Sequence, residues 1–140
     1  MKRFYIYMVL VCLFASCTQN GIYIGPIYGK WQLREIQSEN DATTYDSIFY
    51  NFQVNIVRLD RLSGEDPHSA KYNMGYFTHI DNELALYLRE CPIERAQTLY
   101  QLPDTSVIFK VLQLNNRRMV LRLSEGNTYT FWKTGAIGSE

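Results

Sequence analysis

Between Ser106 and Lys133 the chain reads "SVIFKVLQLNNRRMVLRLSEGNTYTFWK", and this stretch decides the fold. Apolar and polar residues alternate within "SVIFKVLQL", "RRMVLRLS" and "TYTFWK", the period-two signature of half-buried strands. Asn115-Asn116 separates the first pair and Glu125-Gly126-Asn127 the second, and residues of these types tolerate the positive φ that tight turns require. Strands joined by links this short are antiparallel neighbours, because a parallel crossover needs a dozen or more residues.

The same rhythm runs upstream. "GKWQLREIQ", from Gly29, sets Trp31 and Leu33 on one face before Ile36 breaks the parity, which points to a bulge. "SIFYNFQVNIV", from Ser47, aligns Ile48, Tyr50, Phe52, Val54 and Ile56 against Asn51, Gln53 and Asn55, and reads as one strand long enough to bend. "RLSGEDPHSAK", Arg61 to Lys71, reads as a loop. "YNMGYFTHI" aligns Met74, Tyr76, Thr78 and Ile80, then turns at Asp81-Asn82 into "ELALYLRE", whose Leu84, Leu86 and Leu88 fall at period two. "PIERAQTLYQ" alone changes period: Pro92 suits a helix start, and Ile93, Ala96, Leu99 and Tyr100 fit helical spacing. The expectation is an all-β domain, an antiparallel up-and-down meander of about seven or eight strands with one short helix, closed into a barrel because closure removes both unpaired edges.

The N-terminus carries an address. Lys2 and Arg3 precede an uncharged run from Phe4 to Ala15, the pattern of a secretory leader and shorter than the roughly 20 residues that span a bilayer. Phe14-Ala15-Ser16-Cys17 resembles the bacterial lipobox, in which the cysteine is acylated and becomes the new N-terminus. The alternative is an ordinary leader cut nearby. The resemblance implies a signal peptide over residues 1–16, a lipidated tether over 17–27 and a folded domain over 28–140. Ile22, Tyr23, Ile24 and Ile27 are apolar for a linker, and suit an edge strand, a plug or a membrane surface. With Cys12 removed and Cys17 acylated, only Cys91 remains, so no disulfide forms within the domain. "TQNG" after Cys17 lacks the acidic residues associated with surface export, which favours an outer-membrane anchor facing the periplasm.

The full chain has 14 basic and 14 acidic residues. Losing Lys2 and Arg3 leaves it slightly acidic, so it offers no field for nucleic acid. His68 and His79 lack the spacing of a metal site, and no Gly-rich phosphate loop or "GxSxG" elbow is present. No metal, cofactor or enzymatic activity is expected, and Cys91 reads as a small buried hydrophobe.

Gly29-Lys30-Trp31, together with the closing strand pair in "MVLRLSEGNTYTFWK", resembles the lipocalins, and with the lipobox is similar to small lipocalin-like lipoproteins of the Bacteroidota. The other lipocalin signature, Thr-Asp-Tyr, has only a shuffled echo at Thr43 to Asp46. The resemblance implies a lipocalin-like barrel in which Trp31 closes one end under an arginine from near the last strand. Arg122 is the candidate, with Arg118 its rival. It also implies a lumen for a small apolar or amphipathic ligand, with Tyr50, Phe52, Tyr76, Tyr87 and Phe109 as candidate lining among strand aromatics that also include Phe77, Tyr129 and Phe131. An eight-stranded barrel is equally able to be filled by its own side chains. Two readings follow: a membrane-anchored binding module for such a ligand, or a structural or interaction lipoprotein of the envelope that docks a protein partner.

Overall fold

Pairing between sequence neighbours organises the whole chain. In this computed structural model, which describes residues 25–63, 70–124 and 126–134, the strands are β1 (Gly29–Gln37), β2 (Ala42–Thr44), β3 (Ile48–Gln53), β4 (Ile56–Leu62), β5 (Ala70–Ile80), β6 (Glu83–Leu88), β7 (Ser106–Leu114), β8 (Arg118–Leu123) and β9 (Thr128–Thr134), with one helix, α1 (Ile93–Leu99), between β6 and β7. All pairings are antiparallel in the order β2-β1-β3-β4-β5-β6-β7-β8-β9, and β9 pairs back onto β1. The ring therefore closes with eight strands, and β2 is an exposed three-residue flap paired with the end of β1. The leader, Cys17, the tether up to Ile24, His68 and the tail beyond Thr134 lie outside the described residues.

Alternation decides what the ring encloses. Trp31 and Leu33, Ile48, Tyr50 and Phe52, Val57 and Leu59, Phe77, Leu84, Leu86 and Leu88, Val107 and Phe109, Met119 and Leu121, Tyr129 and Phe131 all point inward and are buried. The helix end of the barrel is closed by α1 and the segment after it through Ala96, Tyr100 and Leu102. The opposite end, where the chain enters, is closed by a strap in which Ile27 is buried and Tyr28 packs edge-on against Phe77. Ile27 thus belongs to the plug rather than to a tether.

Three expectations change. The single strand read from Ser47 to Val57 is a hairpin: β3 ends at Gln53, Val54 and Asn55 form the turn, and β4 starts at Ile56. Val54 takes a φ of +53°, and both Val54 and Ile56 leave the inner face. The loop read from Arg61 to Lys71 is shorter, because β4 runs to Leu62 and β5 begins at Ala70. The bulge anticipated near Ile36 sits at Arg34, two residues earlier, where the β1–β9 register shifts between Leu33 and Glu35.

Candidate functional site

The lumen is the first place to look, and side chains occupy it. Tyr50, Phe52 and Phe109 point inward, and none of them has solvent-accessible surface. The same holds for Trp31, Leu33, Leu59, Leu84, Met119, Leu121 and Phe131. A void able to admit even one water would leave some of that surface reachable. Ring contacts knit the interior: Tyr50 lies 4.8 Å from Phe131, Phe52 4.9 Å from Phe77, and Phe109 5.2 Å from Tyr129, centroid to centroid. Tyr76 and Tyr87 are corrections to the candidate lining. Their inward neighbours Gly75, Phe77, Leu86 and Leu88 take the inner face, which leaves Tyr76 45% and Tyr87 56% exposed on the outside.

At the helix end, tyrosines on the wall and cap tie the cap down. The Tyr50 hydroxyl donates to the Tyr100 carbonyl at 2.7 Å, and the Tyr129 hydroxyl donates to the Gln101 carbonyl. Tyr45 reaches the Gln101 side chain at 3.4 Å, and Tyr100 donates to Asn73 Oδ1 at 2.7 Å. Burial, with the neighbouring Tyr129, Tyr100 and Tyr45, pushes the Tyr50 hydroxyl well above the usual phenol range. Burial, with Tyr45, pushes Tyr129 up to about 12. These hydroxyls are latches that stay protonated, not acids poised to give up a proton.

At the strap end, Trp31 is fully buried and its Nε1 donates to the Ile27 carbonyl at 2.7 Å. The cation over its ring is Lys133, with Nζ 5.2 Å from the centroid, and Lys133 also donates to the Pro26 carbonyl at 3.0 Å. Burial lowers the Lys133 pKa from its ordinary value. Neither Arg122 nor Arg118 packs over Trp31, because Met119 and Leu121 hold the inner face of β8 and turn both arginines outward. Arg122 pairs with Thr128 at the start of β9, whereas Trp31 pairs with Lys133 near its end. Gly29 has a φ of +123°, and a Cβ there would meet Lys133 Cε at 2.8 Å, so the lysine stem fills the space a side chain would need.

The concave features lie on the outside. One groove of about 610 Å³ runs beside the β5–β6 turn, with Asp81, Glu83, Lys110 and Arg122 along it. A second, about 650 Å³, has Arg34, Asp46, Arg118 and the exposed Trp132 on its walls, with the Arg34 guanidinium 5.5 Å from the Trp132 ring centroid. A group of exposed apolar side chains spans β4, β5 and β6. Ile56, Tyr76 and Tyr87 form one row across the three strands, and Met74 lies 46% exposed beside Arg58. The Arg58 guanidinium stacks 4.3 Å from the Tyr72 ring centroid, and Arg89 donates to the Tyr76 hydroxyl at 3.2 Å. Strand periodicity shows that these residues alternate, but only the partner strands decide which set faces out.

Among the described residues no group of three or more His, Cys, Asp or Glu side chains stands close enough to hold a metal ion. Cys91 is half-buried, and burial pushes its thiol up. His79 is exposed on β5. Among the described residues no helix is long and apolar enough to cross a membrane.

The profile of the lipocalin-like domain family matches residues 12–134. A crystal structure of a lipocalin-like protein from Bacteroides uniformis ATCC 8492 is similar over 78% of this chain and 99% of that one, at 26% identity and a TM-score of 0.69. An uncharacterized protein from Bacteroides eggerthii DSM 20697 is similar over 76% and 98%, at 26% identity and a TM-score of 0.66. No curated protein matches the chain.

Proposed function

The chain belongs to the lipocalin-like domain family, and from that premise we propose that it is a non-enzymatic, lipid-anchored binding module of the cell envelope that engages a protein partner with the outside of its barrel. The observation that carries this reading is the filled lumen. Lipocalin-like barrels offer a ligand the space between their walls, and here Trp31, Tyr50, Phe52, Phe109 and Phe131 take that space. What remains for recognition is the outer surface.

The β4–β6 face suits a protein partner by composition. Tyr, Arg and Met are enriched at the centres of protein interfaces, and Tyr72, Tyr76, Tyr87, Met74, Arg58 and Arg89 gather there. Rings on a strand wall lose little freedom on binding, since two χ angles set each one. The anchoring part of the proposal rests on the sequence: a basic start, a short apolar run and a small-residue pair before Cys17. Acyl chains at that cysteine would hold the domain at the membrane, more than one chain being needed for stable attachment. A non-catalytic role is supported by the raised Cys91 thiol, the wrong direction for a nucleophile, and by tyrosines whose hydroxyls are committed to backbone carbonyls.

The test is photo-crosslinking in the native host, with a photoreactive phenylalanine at Tyr87 or Tyr76 and, as a control, at the exposed Gln113 beside the β7–β8 turn, where β7 runs past the end of β6. The expected result is one discrete envelope-protein adduct from positions 87 and 76 and none from 113. Equal, diffuse labelling from all three positions contradicts the proposal.

A further inference from the structure

We infer that the strap end of the barrel is a membrane-docking surface, resting on a phospholipid headgroup layer with Val54 and Ile80 as its apolar contacts; the inference builds on the Cys17 anchor proposed above. Val54 is the first clue. It sits in the β3–β4 turn at a φ of +53°, a region that a β-branched residue strongly disfavours and that Asn or Gly occupies easily. Its side chain is also 76% exposed. The position therefore combines backbone strain with apolar surface left in water, and a polar turn residue would relieve both. Strain kept at an exposed tip points to a role for the side chain there. Leaving water for a lipid interface removes the second cost.

Ile80 repeats the pattern on the neighbouring hairpin. At 68% exposure it is second only to Val54 among the large exposed hydrophobics of the described residues. β5 passes the β3–β4 turn, where the Phe77 amide donates to the Asn55 carbonyl, and carries Ile80 on to the Asp81-Asn82 turn.

The chain's path supplies the occupant. Gly25 and Pro26 enter at this same end, against Tyr28, Val54 and His79 around a groove of about 410 Å³. Cys17 precedes Gly25 by eight residues, which reach roughly 30 Å at full extension. An acyl group at Cys17 thus keeps this end close to the bilayer, while α1 lies at the opposite end of the strands. Short tethering raises the effective concentration of the surface, so contacts too weak to bind alone suffice to orient the barrel.

Charge agrees with a headgroup layer. Lys30 lies near the start of β1, and the exposed Arg117 lies in the β7–β8 turn at the same end, its carbonyl accepting from the Lys133 amide. Asp81 and Glu83 are the acids on the β5–β6 hairpin. The cations stand on the β8–β1 side of this end and the apolar tips on the β3–β6 side, where Asp81 adjoins Ile80; apolar and cationic groups on one surface are the elements of an interfacial contact.

The experiment uses the full acylated chain in a Trp132→Phe background, which leaves the buried Trp31 as a constant signal. Val54→Trp, Ile80→Trp and Ile93→Trp variants, the last at the start of α1, are reconstituted on vesicles whose phospholipids carry bromine near the headgroup. The expected result is a blue shift and strong quenching for the first two and neither for Ile93→Trp. If the chain floats with the vesicles but Val54→Trp and Ile80→Trp are quenched no more than Ile93→Trp, the docking surface is refuted and the anchor stands. If the chain carries no acyl group at Cys17 and does not float, both the anchor and the docking surface fall.

Discussion

Burial and the nearby Tyr45 push the Tyr129 hydroxyl up to about 12, while a tyrosine in an unfolded chain loses its proton near pH 10. Below pH 10 both states hold the proton, and this group leaves stability unchanged. Above it the unfolded chain binds fewer protons than the folded one, so stability falls as the pH climbs toward 12. Thermal melts followed by circular dichroism should therefore show a Tm that drops through that window. Tyr129→Phe should start about 1 kcal/mol less stable, having lost the bond to the Gln101 carbonyl, and should then drop less steeply. The latch itself was not legible beforehand, because a hydroxyl's partner at a distant backbone carbonyl leaves no trace in spacing. The same is true of Lys133. Resemblance directs attention to an arginine over Trp31, but strand parity turns Arg118 and Arg122 outward and leaves Lys133 to reach the indole.

At the scale of the element, the final three strands were legible because every local signal agreed: alternation, turn residues and short links. The β3–β4 hairpin was not, since Ile48, Tyr50, Phe52, Val54 and Ile56 keep one parity straight through the turn, and Val54-Asn55 carries no glycine. β5 hid its inner face for a related reason. Its apolar set, Tyr72, Met74, Tyr76 and Ile80, is the one outside, and the inner parity, Asn73, Gly75 and Phe77, carries one large apolar residue. Gly75 marks the inner face because β6 comes so close: a Cβ there would lie 2.0 Å from the Tyr87 carbonyl oxygen. Gly75→Ala must therefore push β5 and β6 apart. A loss of about 3 kcal/mol, the upper end of overpacking costs, is expected in urea unfolding, with faster amide exchange at Leu88 and Tyr87. An unchanged midpoint would mean that the two strands are not packed this tightly.

For the molecule as a whole, closure of the meander was legible from its length and short links, and the choice between an empty and a filled lumen was not. Composition supplies enough aromatic volume for either outcome. The decision lies in which rings face inward, and that is set by register between strands far apart in sequence. Once Trp31, Tyr50, Phe52, Phe109, Tyr129 and Phe131 share one interior, the barrel is packed through, and only its walls and ends remain as surface. Under the proposals above, the strap end is assigned to a membrane and the β4–β6 wall to a protein partner.

Native mass spectrometry of the protein purified from its own host tests this most directly. The filled barrel predicts the mass of the acylated polypeptide alone, unchanged when fatty acids or other apolar small molecules are supplied in excess. A stoichiometric apolar adduct that survives purification, and that disappears when Leu121→Phe adds bulk to the interior, would contradict it.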